Sequence, residues 1–401
     1  MSKFLFVVPP LVGHINPTVG VAAELTARGH QVAWASAGPG LVQRLTGDKA
    51  LVYPCSGPDL GLGDGARPPE LRGPQALKFL WEDFLVPLAE AMAPDVQAAV
   101  QGFRPDVIIA DQQTVAGGLV AEHMRVPWAT SSTTTAEFAF DNALGGMPKV
   151  AAWIDTLLKD LRTRIGHVSG TADPRFSPHL VLTYSTPELV GPEARVDGQI
   201  RYVGPSIATR PASPSFPWHW LDPARATVLV TLGTANTDVG ARFLGECLEA
   251  LRHRSHQIQA VVADPGNVLG TTTADDKDAL ILPSVPQLPL LERMDAVVCH
   301  AGHNTVCEAL WHGVPLVVAP IRDDQPVVAS QVTGAGAGIR VRFGRVTAAK
   351  LGVAIDAVLH EPSYRAAAHR IGTAFRAAGG AHAAASHLEQ LATSGALGEA
   401  L

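Results

Sequence analysis

"DAVVCHAGHNTVCEALWHGVPLVVAP", residues 295–320, is the stretch on which the fold turns. An apolar strand, Ala296–Cys299, ends at His300. A short turn, Ala301–Thr305, leads into a helix opening near Asn304, and a second apolar strand follows in Val314–Pro320. Strands that alternate with helices imply parallel βαβ units. Such units are right-handed and stack into an open sheet with helices on both faces. Ligands of such sheets bind beyond the carboxyl ends of the strands. The turn at 300–305 therefore lies where a ligand belongs.

The same alternation runs through most of the 401 residues. "FLFVVP" (4–9), "QVAWAS" (31–36), "DVIIAD" (106–111) and "VPWATS" (126–131) read as strands of a first sheet. Asn16 with Pro17 reads as an N-cap and first helical position, opening a helix that ends near Gly29. Residues 75–103 read as mostly helical, kinked or divided by prolines. Between about 206 and 224 the pattern breaks in the proline- and serine-rich "SIATRPASPSFPWHWLDPA", which reads as an inter-domain linker. The alternation then restarts with "TVLVTLGT" (227–234), "IQAVVA" (258–263), "ALILPS" and the opening stretch. The expected organisation is α/β throughout, with two doubly wound parallel-sheet domains facing across a cleft. The first spans 1–206, the linker 207–224 and the second 225–381. A last helix, 382–401, has no strand after it and is expected to return across the domain boundary.

Bulk properties narrow the function. Hydrophobic residues make up 47% and charged residues 17%, which is ordinary for a globular chain with large cores. A net charge of −6 provides no basic footprint for nucleic acid. Cys55, Cys247, Cys299 and Cys307 are scattered without a Cys-x-x-Cys pair, which argues against a disulfide framework or a thiolate zinc site. A reducing, cytoplasmic setting fits best. No segment approaches the roughly 20 apolar residues of a membrane span, so stable membrane insertion is not expected.

The turn after Cys299 is built for an anion. Backbone N–H groups around Gly302, the Thr305 hydroxyl and His300 meet at a helix N-terminus, where unpaired donors and the helix dipole favour negative charge. An ordinary capped helix with an incidental histidine is the competing explanation. Glu308, one turn along, suits a ribose. Asp324 and Gln325, in the loop after the next strand, suit sugar hydroxyls. Together these groups fit a nucleotide sugar.

In combination, Val285-Pro286-Gln287, His300 to Thr305, Glu308, Gly313-Val314-Pro315 and Asp324-Gln325 resemble the signature of family 1 glycosyltransferases with the GT-B fold. "VTLGT" (230–234) and "GHINP" (13–17) match further family positions, and the likeness runs nearly the full length. The branch resembles the bacterial natural-product enzymes. The resemblance implies two Rossmann-like domains, the first for the acceptor and the second for the donor. It implies that Thr231, Gly233, Thr234, His300, Gly302, Asn304 and Thr305 hold the donor diphosphate. Val285 and Gln287 then lie by the nucleobase, Glu308 by the ribose, and Asp324 and Gln325 by the donor sugar. Ser284 stands where many relatives carry an aromatic residue that stacks on the base, and His303 where plant relatives carry tryptophan.

Transfer to an alcohol also needs a general base with a pKa near neutrality. His14 lies at the carboxyl end of the first strand. An imidazole is better oriented and more basic when a carboxylate accepts its other N–H. Asp111 closes "DVIIAD" in the same sheet and is the best partner; helix capping is its alternative role. The family uses a His–Asp dyad at these two positions.

The expected activity is inverting, metal-independent transfer of a hexose or deoxyhexose from a UDP- or TDP-sugar to a hydroxyl of a small natural product such as a polyketide, macrolide or aromatic aglycone. The nucleotide sugar is a co-substrate, and no cofactor is expected. The protein is expected to be a monomer or homodimer. "DKD" (276–278) fits an Asp-x-Asp metal motif but reads as a solvated loop. No Gly-x-Gly-x-x-Gly follows a strand, which weighs against a dinucleotide dehydrogenase. A sugar-nucleotide epimerase and a non-catalytic nucleotide-sugar binder are the alternatives; a binder needs no base.

Overall fold

The computed structural model describes residues 1–58, 73–136, 148–165, 172–194, 198–208, 214–233 and 240–398. Two sheets, both parallel in every pairing, organise them. The first holds β1 (Lys3–Val7), β2 (Gln31–Ser36), β3 (Leu51–Pro54), β4 (Val107–Asp111), β5 (Trp128–Ser132), β6 (Val181–Thr183) and β7 (Ile200–Tyr202), in the order β3-β2-β1-β4-β5-β6-β7. The second holds β8 (Ala226–Thr231), β9 (Ile258–Ala263), β10 (Ala279–Leu282), β11 (Ala296–Cys299), β12 (Leu316–Val318) and β13 (Gly338–Arg340), in the order β10-β9-β8-β11-β12-β13.

Strand order reverses between β1 and β4 in one sheet and between β8 and β11 in the other. A crevice opens at such a reversal because successive crossovers leave for opposite faces. The carboxyl ends of those four strands and the segments that follow them carry His14, Asp111, Thr231–Gly233 and His300–Thr305.

The sheets are covered on both sides, as their apolar strands require. In the first, Phe4, Phe6 and Ile109 face one helical layer. Leu5, Val7, Ile108 and Ala110 face the other, with α2 (Val86–Phe103), α3 (Val115–Met124) and α4 (Pro148–Ile165) packed against them. All seven of these strand residues are 2% exposed or less.

Helix α1 (Val12–Ala27) corrects one expectation. It opens at Val12 with Leu11 as its cap, so Asn16 is not the N-cap and Pro17 lies inside the helix. His14 consequently sits in the first helical turn rather than in a loop. Pro17 lies beyond the first turn, where its N–H would have bonded the carbonyl of Gly13, so the proline removes that single intrahelical bond. The helical run at 73–103 is likewise continuous. It passes from Gly73–Lys78 through π-helical Phe79–Leu85 into α2, with Pro87 accommodated in the first turn of that helix.

Within the proline-rich stretch, residues 209–213 lie outside the described residues. Phe216 and Trp220 are buried against the second sheet, and Trp220 Nε1 donates to the Asp276 carbonyl over 2.7 Å. Asp276 and Asp278 of the "DKD" loop pair with Arg252 and Arg225 respectively.

The second sheet is flanked by α5 (Ala241–Arg252), α6 (His303–Trp311), α7 (Gln325–Gly334), α8 (Ala348–His360) and α9 (Pro362–Ala378). A Gly379-Gly380 turn, both residues at positive φ, then sends α10 (Gly380–Gly398) onto the first half. Ala384, Ala385 and Leu388 are fully buried in one cluster with Ile15, Val21 and Leu25 of α1. Arg28 Nη1 donates to Glu389 Oε2 over 2.6 Å, and His30 Nε2 lies 2.8 Å from the other oxygen of the same carboxylate. Among the described residues, no helix is long and apolar enough to cross a membrane.

Candidate active site

Residues of a parallel sheet that share a register position present their side chains to the same face. Asp111 pairs with Ser131, and its side chain points to the face that α1 covers. It meets His14 there: Nδ1 lies 2.9 Å from Asp111 Oδ2 and 3.0 Å from Oδ1. A carboxylate only accepts, so Nδ1 carries the proton and Nε2 the lone pair. The Asp111 side chain is fully buried, whereas that of His14 is 15% exposed.

Two further donors hold the carboxylate. The Gln113 amide reaches Oδ1 at 2.8 Å, and the Thr133 hydroxyl reaches Oδ2 at 3.3 Å. Thr133 Oγ1 is also 2.9 Å from His14 Nδ1. Thr133 escapes sequence reading because its place beside the pair depends on β5 lying next to β4. Asp111 does not cap α3: the cap position is Thr114, no side chain caps that helix, and the Gln113 amide that the Asp111 carboxylate takes lies ahead of it.

In the second half the turn after β11 is assembled around His300. This residue is 8% exposed and enclosed by two glycines. A Cβ at Gly302 would lie 2.3 Å from His300 Nε2, and one at Gly233 would lie 2.8 Å from Cε1. Gly233 also adopts φ +71°. Burial pushes the imidazole pKa down to about 4; Arg322 adds to the drop and the Thr231 backbone opposes it. His300 is thus a neutral group at pH 7, and any charge for an anion must come from the helix end and nearby cations. Ala301 holds φ +66°, a strained geometry of the kind that clusters at ligand sites.

Gly302 caps α6, and the chain there has no side-chain cap of its own. Its first N–H groups therefore lack intrahelical partners. Thr305 is buried in the first turn, and Thr231 is buried at the end of β8 with its hydroxyl accepting from the Gly233 amide at 3.2 Å. Thr234 lies outside the described residues. Gln287 Nε2 donates to Glu308 Oε2 at 2.5 Å, so the two residues expected at base and ribose are joined. Val285 is half-buried beside them and Ser284 is exposed. A cleft between the halves is lined by Asn16, Pro17, Tyr184, Asn304 and Glu308 among others.

The loop after β12 completes the site. Gln325 Oε1 accepts from the amides of Ile321 and Arg322 at 2.9 and 3.1 Å, so this oxygen shapes the loop. Burial raises the Asp324 pKa, against a hydrogen bond from Thr134 and the positive influence of His303 and His14. The expected sugar-facing carboxyl therefore lies within electrostatic reach of the expected base.

The halves touch through polar contacts near this centre. Asn304 Nδ2 donates to the Gly13 carbonyl at 2.9 Å, and His303 Nε2 lies 3.2 Å from the Tyr184 carbonyl. Thr135 and Gln331 exchange two hydrogen bonds, at 2.9 and 3.1 Å. Of the tryptophans in the first half, Trp81 is core, whereas Trp153 is half-buried and donates to Glu82.

Comparisons with known proteins agree with this fold. Residues 228–376 match the family described as UDP-glucoronosyl and UDP-glucosyl transferase. The 4'-demethylrebeccamycin synthase of Lentzea aerocolonigenes is 30% identical, over 92% of this chain and 94% of its own. The demethyllactenocin mycarosyltransferase of Streptomyces fradiae is 29% identical, over 98% and 87%. The crystal structure of the kitacinnamycin glycosyltransferase superposes with a TM-score of 0.80 at 23% identity, covering 97% and 98%, and shares the two-sheet GT-B fold. Identity at this level across nearly the whole length, with the family match over the second sheet, makes the chain a member of the family 1 glycosyltransferases.

Proposed function

We propose that the protein transfers a hexose or deoxyhexose from a UDP- or TDP-sugar to a hydroxyl of a small natural product, with inversion and without a metal. The observation that carries this reading is the His14–Asp111–Thr133 arrangement at the cleft, opposite the turn at His300–Thr305. The acceptor hydroxyl gives its proton to His14 Nε2 as its oxygen bonds the anomeric carbon. The bond from that carbon to the diphosphate oxygen breaks, and its electron pair leaves with the diphosphate. Asp111 stabilises the imidazolium that forms. Displacement in one step, from the face opposite the leaving group, inverts the anomeric centre.

The leaving diphosphate is stabilised by the first N–H groups of α6 and by Asn304 and Thr305, with neutral His300 as a further hydrogen-bonding group. Such preorganised donors act where charge develops. Glu308 and Gln287 serve the nucleoside, and Asp324 with the Gln325 amide serves the sugar. The relatives named for demethylrebeccamycin and demethyllactenocin favour a small natural-product acceptor.

The test is a donor panel of UDP- and TDP-sugars against mixed polyketide and flavonoid acceptors, read by mass shift with and without EDTA. A glycosylated product that survives chelation is expected. Epimer formed from donor alone, or product lost on chelation and restored by Mg²⁺, would overturn the reading.

A further inference from the structure

The bond between Asn304 and the Gly13 carbonyl has a cause in the sequence of α1. In a helix, the carbonyl of residue 13 accepts from the N–H of residue 17. Residue 17 is proline and has no N–H. The Gly13 oxygen is thereby left open inside a helical turn, and the Asn304 amide fills it from the other half of the molecule. The accepting residue immediately precedes His14. The donating residue stands in the first turn of α6, two positions after Gly302.

The neighbouring residue makes a second contact of the same kind. His303 is buried, and its Nε2 faces the Tyr184 carbonyl at 3.2 Å; a carbonyl only accepts, so this nitrogen donates. The Tyr184 phenol is buried within electrostatic reach of Asp111. Two consecutive residues of this turn therefore hold backbone oxygens of the first half, one of them immediately before the base.

We propose that Asn304, through the carbonyl that Pro17 leaves open, is a positioning residue that sets His14 relative to the diphosphate turn. An amide nitrogen carries two hydrogens, so Asn304 can hold Gly13 with one and a phosphate oxygen with the other. Donor binding and base placement then share one side chain. This inference rests on the function proposed above.

The decisive variant restores the missing donor instead of deleting a site residue. Pro17→Ala supplies an N–H that closes on Gly13 within the helix and so competes with Asn304. It is expected to lower kcat about two- to tenfold, the worth of one hydrogen bond, with the acceptor KM unchanged and thermal stability equal or higher. Asn304→Ser keeps a hydroxyl by the diphosphate but is too short to reach Gly13, and its loss in kcat should not multiply with that of Pro17→Ala. Wild-type kcat in Pro17→Ala or in Asn304→Ser, or losses that multiply in the double variant, would overturn the proposal. His14→Ala run alongside separates the two ideas: if it is inactive while Pro17→Ala is normal, only the positioning role fails, and if it turns over normally the functional reading itself fails.

Discussion

The Asp111 carboxylate stands 2.9 Å from Nδ1 of His14, on a strand 97 residues further along the chain, and its own side chain is wholly buried. A buried carboxylate is costly unless it is paired and hydrogen-bonded. Here it accepts from an imidazole, a hydroxyl and a backbone amide, which meets that requirement and locks the imidazole in one tautomer.

His14→Ala should therefore lower turnover by about 10²–10⁴-fold. Binding of the nucleotide sugar, followed by calorimetry, should stay within about threefold of wild type, because the donor is expected on the other sheet. Turnover at the wild-type rate would remove His14 from the chemistry.

Asp111→Asn keeps the shape but cannot stabilise an imidazolium, and a smaller loss than for His14→Ala is expected. Thr133→Val removes one donor to the carboxylate, and a drop of about two- to tenfold is expected. In both variants the acidic limb of the pH–rate profile should move. A profile that coincides with wild type in each case would show that the carboxylate has no part in tuning the base.

Gly302→Ala and Gly233→Ala place a methyl group against the His300 ring, at 2.3 and 2.8 Å from its atoms. Both should abolish measurable donor binding while leaving the circular dichroism of the fold intact. Donor affinity equal to wild type in either variant would mean that the His300 pocket has slack the structure does not show.

His300 links stability to pH. Its imidazole titrates near 6.5 when unfolded and about 4 when folded. Between those values the unfolded chain binds a proton that the folded chain does not, so stability falls as pH drops from 6.5 toward 4. The full span is worth about 3 kcal/mol. His300→Gln should show a shallower decline in urea midpoint over this window; parallel curves for the two proteins would contradict the assignment.

Leu388→Ala should destabilise the protein by about 2–5 kcal/mol, as for other fully buried leucines. Because its neighbours lie on α1, activity should fall along with stability although residue 388 is far along the chain. Urea titration and a turnover assay on the same samples check this.

Much of the site could be read from the chain because both halves use one rule: a strand ends and the next few residues face a ligand. His300 to Thr305 and Asp111 follow from strand ends alone. What escaped depends on partners in space. Thr133 reaches the dyad through the pairing of β4 with β5, and Asn304 finds Gly13 only when the two sheets face each other. The start of α1 departs from the sequence expectation for a local reason. Proline is so common at the first helical position that Pro17 suggested a helix start, whereas here the helix has already run for more than a turn and the lost bond is made good from elsewhere.

The docking of α10 on α1 has a consequence for biosynthesis. The ribosome releases the first half before the second, yet the cluster that holds Ile15, Val21 and Leu25 of α1 is completed only when a helix encoded after the entire second sheet emerges. Until then the nascent half carries an adhesive face of the kind that draws chaperones and promotes aggregation. A gene split at the proline-rich stretch would inherit the same problem, and grafting residues 380–398 onto the first fragment is the remedy that the packing dictates.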